Sequence, residues 1–264
     1  MSNPGVTQIE KITRFAPLPV NLEYLIMKKI QEEIHPLISV ITVVYNDVIN
    51  IEETILSVIN QNYEYIEYIV IDGKSDDGTT AIIKKHEHSI KYWISEEDKG
   101  IYDAMNKGID VAKGDLITFM NSGDRYLTAD VFDEIRAACF IPTIYKTHFG
   151  KRKLVKVRNI KFSIPYCHQG IVFENMGLKY DLQYRFAADY DYYLRHNYDI
   201  LPFSTSGKVY YDNRGVSSNS WDTRKELALI VRRNFGVFYG VKAYIVFGIK
   251  FLLIKFVYIV SRSK

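Results

Sequence analysis

The sequence predicts an α/β protein, built on a mostly parallel sheet flanked by helices and ending in a C-terminal helical, partly apolar extension. Three observations lead there. LISVITVVYN from Leu37 is a continuous β-branched run, as expected of a strand buried on both faces of a parallel sheet. Apolar stripes at helical spacing then alternate with further β-branched runs, and repeated strand–helix units imply parallel strands joined by right-handed crossovers. The segment Tyr244 to Val260, YIVFGIKFLLIKFVYIV, has 14 apolar residues of 17.

Residues 1–36 form an N-terminal extension with one helical stretch near Leu22 to Ile34, ending before His35-Pro36. Its first 26 residues include Asn, Gln, Glu, Lys and Arg and lack a long apolar core, so no secretory leader is expected and the protein should stay in the cytoplasm. After the first strand, Asn50 with Glu53 offers a capping box, and Ile51, Ile55, Val58 and Ile59 form one stripe, predicting a helix. IEYIVID is the second strand. It ends at Asp72 in the turn GKSDDGTT, where Asp77 can cap the next helix. KYWIS is the third strand. Ile101, Ala104, Met105, Gly108, Ile109 and Ala112 recur at helical spacing, and GDLITFMNSGD supplies the fourth strand with its carboxyl-end loop. Past Asp222 the chain is helical again, with Leu227, Ile230 and Val231 on one face. The division expected is 1–36, a domain over 37–221 with halves 37–127 and 128–221, and helices over 222–264.

Composition bounds the function classes. With 264 residues, 47% hydrophobic, 25% charged and 14% aromatic, the chain is neither disordered nor collagen-like nor disulfide-built. Cys139 and Cys167 lack CxxC spacing, so neither a zinc knuckle nor a redox pair is signalled, and a reducing compartment fits. The net charge of +3 hides a gradient, because residues 201–264 hold 11 Lys or Arg against 3 Asp or Glu. A second basic stretch, Tyr145 to Lys161, has seven Lys or Arg and no acid. Such patches attract phosphate groups or an anionic membrane face, or are simply solvated.

In an open parallel sheet, ligands bind at the carboxyl ends of the strands. Those ends carry Tyr45, Asn46 and Asp47, then Asp72, then Glu96 to Lys99, then Asn121 to Asp124. Converging acids are costly unless a cation or hydrogen bonds compensate, and a hard divalent metal holding substrate phosphates would do so. No GxGxxG follows the first strand and no GxxxxGK[ST] occurs, so dinucleotide redox chemistry and P-loop binding lose their main support.

The segments SVITVVYN, IEYIVIDGKSDDGT and SEEDKGIYDAMNKGIDVAKGDLITFMNSGD resemble the nucleotide-sugar-binding half of family 2 glycosyltransferases of GT-A fold. HQGIVF from His168 and FAADYDYYLR from Phe186 resemble the acceptor half, especially in members that build bacterial surface polysaccharides. The resemblance spans roughly residues 37–220. It implies that Asp72 hydrogen-bonds the nucleotide base, a charge-assisted contact, and that Val44, Tyr45 and Asn46 line base and ribose, although Tyr45 could equally pack the strand end. Lys99, Asp103 and Asn121 are implied at the donor, with Lys99 beside phosphate. The family's metal motif is usually Asp-x-Asp or Asp-Asp at the fourth strand's end, whereas this chain has Asn121-Ser122-Gly123-Asp124. Asp124 is then the implied ligand for manganese or magnesium, and Gly123 stands where an acid is usual. Asp189 matches the general base of inverting members, with Ala188 at a position frequently Glu. Asp191, two residues on, takes a supporting role, as does His168. Ser217, Ser218, Trp221 and Arg214 form a polar loop that could close over the donor.

For the tail, 14 apolar residues contribute about −4 to −8 kcal/mol on the insertion scale, while two central lysines cost about +5 to +7. An interfacial helix with snorkelling lysines fits that balance better than a span; a helix packed on the domain is the other reading. The expectation is an inverting, metal-dependent glycosyltransferase. It would move a sugar from a nucleotide diphosphate, a UDP-sugar by preference, to a saccharide acceptor. A lipid-pyrophosphate-linked acceptor would suit peripheral attachment to the inner membrane face, and no nucleic-acid partner is expected. The rivals are a nucleotidyltransferase on a similar sheet, which would want a Gly- and Arg/Lys-rich first loop, and a catalytically degenerate member binding membrane or partner.

Overall fold

The structure, a computed structural model, describes residues 35–146, 152–154, 159–198, 201–204, 206–212 and 221–262. The helical stretch expected near Leu22 and the loop from Arg214 to Ser218 lie outside them. Strands β1 (Ile38–Val44), β2 (Ile66–Asp72), β3 (Tyr92–Ser95) and β4 (Leu116–Phe119) fall where the β-branched runs placed them. Helices α1 (Ile51–Ile59), α2 (Thr79–Lys85) and α3 (Ile101–Val111) fill the intervals. All four strands are parallel, and the sheet is completed in the order β3-β2-β1-β4-β9-β6 by β9 (Ile171–Glu174) and β6 (Cys139–Phe140). Strand β9 runs antiparallel to β4 and to β6. A second sheet has the order β5-β10-β7-β8, from β5 (Arg125–Tyr126), β7 (Thr143–Lys146), β8 (Arg152–Leu154) and β10 (Val209–Tyr211).

Every residue of β1 is buried, and its alternation sorts the core into two layers. Ile41 and Val43, with Ile69 and Ile71 of β2, pack on Ala104, Met105 and Ile109 of α3. Ile38, Val40 and Val44, with Tyr68 and Val70, pack on Ile51, Ile55 and Val58 of α1. A strand covered on both faces cannot alternate polar and apolar residues, which is why β1 and β2 read as continuous runs. Gly108 is the point of closest approach, since a Cβ there would lie 2.6 Å from Ile41.

Helix α4 (Ala188–Arg195) joins the first layer, as do α5 (Trp221–Phe235) and α6 (Val237–Arg262). Gly236, with φ of 90°, turns the chain between α5 and α6. At Gly240 a Cβ would run into Arg232, so only glycine lets the two helices close. Ala243 and Phe247 are buried against the core, while Phe238, Val241, Ile245 and Ile249 on the other face of α6 are exposed. As far as Ile249, the extension is therefore a helix packed along one face and uncovered along the other. Among the described residues no helix is long and apolar enough to cross a membrane.

At the sheet edge away from the strands' carboxyl ends, Glu67 is buried and binds three segments together. Its Oε2 accepts from Ser39 Oγ at 2.6 Å and from the Lys113 N–H at 2.7 Å. Ser39 Oγ in turn accepts from the Gly114 N–H at 2.9 Å. Replacing Glu67 by Leu would leave a buried hydroxyl and an amide without their acceptor. Glu67→Leu should lower the unfolding free energy by about 2 to 4 kcal/mol in urea titrations.

Candidate active site

Four loops arrive at one sheet edge and are joined there by side chains. Asn46, in the left-handed region at φ 48°, donates its N–H to Ser75 Oγ at 2.8 Å and accepts the Asp76 N–H on Oδ1 at 3.0 Å. Asparagine tolerates that backbone better than most residues. The Asp47 carboxylate accepts from Asn50 Nδ2 at 2.5 Å and from Ser122 Oγ at 2.6 Å, tying the first loop to the fourth. The expected cap by Asn50 is not made, since its amide is turned to Asp47. The N-cap of α2 is Gly78 with no side-chain cap bond, so Asp77, one residue earlier, is not the cap expected; it accepts the Thr79 N–H at 3.0 Å and the Val48 N–H at 2.9 Å.

Asp72 is fully buried. Its carboxylate accepts from the Ser75 N–H at 2.9 Å, from Ser75 Oγ at 2.5 Å and from Ser95 Oγ at 2.5 Å. A carboxylate has about four lone-pair positions, so most of its capacity is turned on its own loops. Gly73 follows, and a Cβ there would lie 2.5 Å from Asp98 Oδ2 and 3.3 Å from the Tyr45 ring. The first three loops meet closely here, and a side chain at 73 would displace the Asp98 carboxylate. Val44 is buried, whereas Tyr45 is 66% exposed and presents its ring beside Gly73. Asp103 reaches back to the Lys99 N–H at 3.0 Å, and Asp98 accepts the Gly100 N–H at 2.7 Å. Asp103 thus fixes the entry of α3, and the Lys99 side chain is exposed.

The fourth loop holds the most perturbed acid. Asp124 is 4% exposed, and burial, with the charge of Asp212 adding, pushes its pKa up to about 8. Its Oδ1 accepts the Asp212 N–H at 2.7 Å, and Gln169 hydrogen-bonds the same carboxylate. Gly123 has φ of 91°, so the residue standing where an acid is usual is demanded by the backbone. Its N–H donates to Thr54 Oγ1 at 3.1 Å. Asn121 is half-buried, and its buried Oδ1 has no partner.

No three His, Cys, Asp or Glu side chains among the described residues are close enough to cage a metal. The residues nevertheless fit a hard divalent cation. Magnesium is commonly held by one or two carboxylates with substrate phosphates and waters, and a buried acid beside a second acid is relieved by a cation.

His168 and Gln169 lie in a 3-10 turn, His168–Gly170, leading into β9. His168 is buried between Phe119 and Phe173, with Nε2 2.7 Å from the Tyr180 hydroxyl, and burial pushes its pKa down to about 3. It is a neutral core histidine. Its neighbour Gln169 is the one that reaches Asp124. Asp189 sits half-buried in the first turn of α4, where the helix dipole favours an anion. Its Oδ1 lies 3.5 Å from the hydroxyl of Tyr102, which enters from the first turn of α3. Asp191 points elsewhere, buried and paired to Arg195 at 2.8 Å. Sequence reasoning missed Asp212, Thr54 and Tyr102. Tyr102 was within reach, because it lies one residue before Asp103 in the same first turn; Asp212 and Thr54 carry no pattern of their own.

The family model for Glycosyl transferase family 2 matches residues 39–185, more than half of the chain. The chain belongs to that family. An uncharacterized glycosyltransferase of Mycobacterium tuberculosis is 36% identical over 179 residues, covering 61% of this chain and 68% of the relative. TuaG of Bacillus subtilis, provisionally named for teichuronic acid biosynthesis, is 37% identical over 94 residues, 34% of this chain and 37% of its own. Among solved structures, TarS 1–349 of S. aureus in complex with UDP superposes with a TM-score of 0.58 at 16% identity, over 75% of this chain and 64% of that one. A mannosyltransferase from Pyrobaculum calidifontis, in complex with GDP-Man and Mn2+, does so at 0.51 and 13%, over 81% of this chain and 69% of that one. The fold is GT-A, and the chain is a glycosyltransferase.

Asp124 makes the metal-free protein sensitive to pH. A carboxyl whose folded pKa is raised favours folding below its unfolded value near 4, and that contribution is lost as pH rises through about 8. Thermal stability without metal should fall between pH 5 and 8 in the parent, and Asp124→Asn should flatten the slope.

Proposed function

We propose that the protein is an inverting, metal-dependent glycosyltransferase that takes a UDP-sugar as donor and a saccharide, carried on a lipid pyrophosphate, as acceptor, in surface-polysaccharide synthesis. The observation that carries the reading is the buried Asp124 carboxylate at the loop edge, beside Asp212 and Gln169. The names of TuaG and of the UDP-bound TarS support the polysaccharide and UDP parts of it.

Asp124 would hold the cation, with Gln169 and Asp212 fixing the carboxylate, and the cation would supply charge to offset the departing diphosphate. Tyr45 offers a ring face for the base beside Gly73, with Asp72 as its hydrogen-bond acceptor and Asn46 near the ribose. Lys99 would lie near phosphate, and Asn121 at the donor. Asp189 takes the proton of the acceptor hydroxyl as its oxygen attacks the anomeric carbon opposite the leaving diphosphate, which inverts that centre. The Tyr102 hydroxyl beside it is held protonated by burial and by the Asp189 charge, so it can donate to the carboxylate.

The outer face of α6 suits the inner surface of an anionic membrane. Phe238 is 75% exposed and Val241, Ile245 and Ile249 extend the stripe, on the part of the chain with the basic excess. Basic residues near such a surface contribute about 1 kcal/mol each.

Sugar transfer from a panel of nucleotide sugars, followed with and without EDTA, tests the reading. A UDP-sugar should be used, EDTA should abolish transfer, manganese or magnesium should restore it, and Asp124→Ala should resist restoration. Transfer at full rate in chelator would remove the metal from the account; no transfer from any donor would leave a binding protein. For the membrane part, Phe238→Ser with Ile245→Ser should reduce sedimentation with phosphatidylglycerol vesicles while leaving transfer to a short soluble acceptor unchanged. Deletion from residue 241, by contrast, removes Ala243 and Phe247 from the core and should destabilise the whole protein.

A further inference from the structure

We infer that Glu226 of α5 is a positioning residue for the turn that carries Asp189, so the C-terminal helical pair takes part in the reaction geometry. The inference rests on the reading of Asp189 as the base.

Helix α4 begins after Ala187, whose side chain cannot accept a hydrogen bond, and no side chain at that position caps the helix. The three amides that lead into its first turn find their acceptor on a residue 39 to 41 positions later. Glu226 Oε1 accepts the Arg185 N–H at 2.9 Å, and Oε2 accepts the Phe186 N–H at 2.8 Å and the Ala187 N–H at 3.0 Å. Three consecutive amides ending two residues before Asp189 are thus fixed by one carboxylate. Charge-assisted bonds of this kind hold geometry more tightly than neutral ones.

Two features separate this from an ordinary cap. The Glu226 charge also acts on the Tyr102 hydroxyl, the group 3.5 Å from Asp189 Oδ1, so Glu226 bears on the same small region as the base. And Glu226 comes from α5, which α6 clamps at Gly240, rather than from the loop it orders. A base must sit within hydrogen-bond reach of the hydroxyl it deprotonates, and a misplacement of about 1 Å can cost 100-fold in rate. The donor loops, in contrast, are fixed by Ser75, Ser95 and Ser122, none of which touches Glu226.

The test is a split between turnover and donor affinity in the full chain, with UDP and manganese as the binding probe. Glu226→Ala should lower kcat for transfer by about tenfold or more while the Kd for UDP stays within about twofold. Glu226→Gln, which keeps one acceptor oxygen, should fall between. Wild-type kcat in Glu226→Ala, or a loss shared equally by UDP affinity, would overturn the inference. If Glu226→Ala does not fold, Glu226→Gln decides through hydrogen exchange. Faster exchange at the 185–187 amides with lowered kcat supports positioning; faster exchange with unchanged kcat refutes it. Asp189→Asn run in parallel separates the two claims. If Asp189→Asn keeps wild-type kcat, the base reading fails and takes the inference with it. If only Glu226→Ala keeps it, Asp189 stands and Glu226 does not.

Discussion

Parallel strands deliver their carboxyl-end loops to one edge, and here those loops bring Asp47, Asp72, Asp77, Asp98, Asp103 and Asp124 into neighbouring turns. Repulsion among them is answered by hydrogen-bond donors from their own loops and from adjacent ones. Ser75 and Ser95 bind Asp72, Ser122 and Asn50 bind Asp47, and backbone amides bind Asp77, Asp98 and Asp103. The Ser95 and Ser122 bonds also tie one loop to another, so there the compensation of charge and the shaping of the cleft are one set of contacts. Asp124 is the acid that burial pushes furthest, to about 8, despite the Asp212 amide and Gln169. Hydrogen bonds hold the loops where donor groups would be read, and the acid that burial raises furthest lies where a cation would sit.

The parallel half of the fold was legible because β1 and β2 are covered on both faces and so kept their β-branched runs unbroken. Strands β6 and β10, of two and three residues, offered no such run, and the second sheet went unread for the same reason. At the site, loop-end acids were visible as types, but what each one binds was not. Asp103 accepts the Lys99 N–H just before α3, and His168 is a core histidine held by Tyr180, because neither burial nor partner is encoded at the position itself. The glycine at 123 looked like a lost acid, and a φ of 91° gives its physical reason.

The C-terminal extension has two faces with two fates. Ala243 and Phe247 complete the core through α5, while Phe238, Val241, Ile245 and Ile249 remain outside. Hydropathy summed along the segment could not separate them, since the period that matters is 3.6 residues rather than the total. Helix α5, between this surface and the α4 turn, presents Glu226 to the amides before Asp189. The tail is thereby continuous with the turn that carries Asp189.

A crystal structure of the full chain with UDP and manganese tests the central claim most directly. The account predicts an anomalous manganese peak against the Asp124 carboxylate, the diphosphate on its far side, the uracil against Tyr45 and Gly73, and Asp189 facing the anomeric position across open space. A nucleotide bound away from these loops, or manganese with no Asp124 oxygen in its coordination, would contradict it.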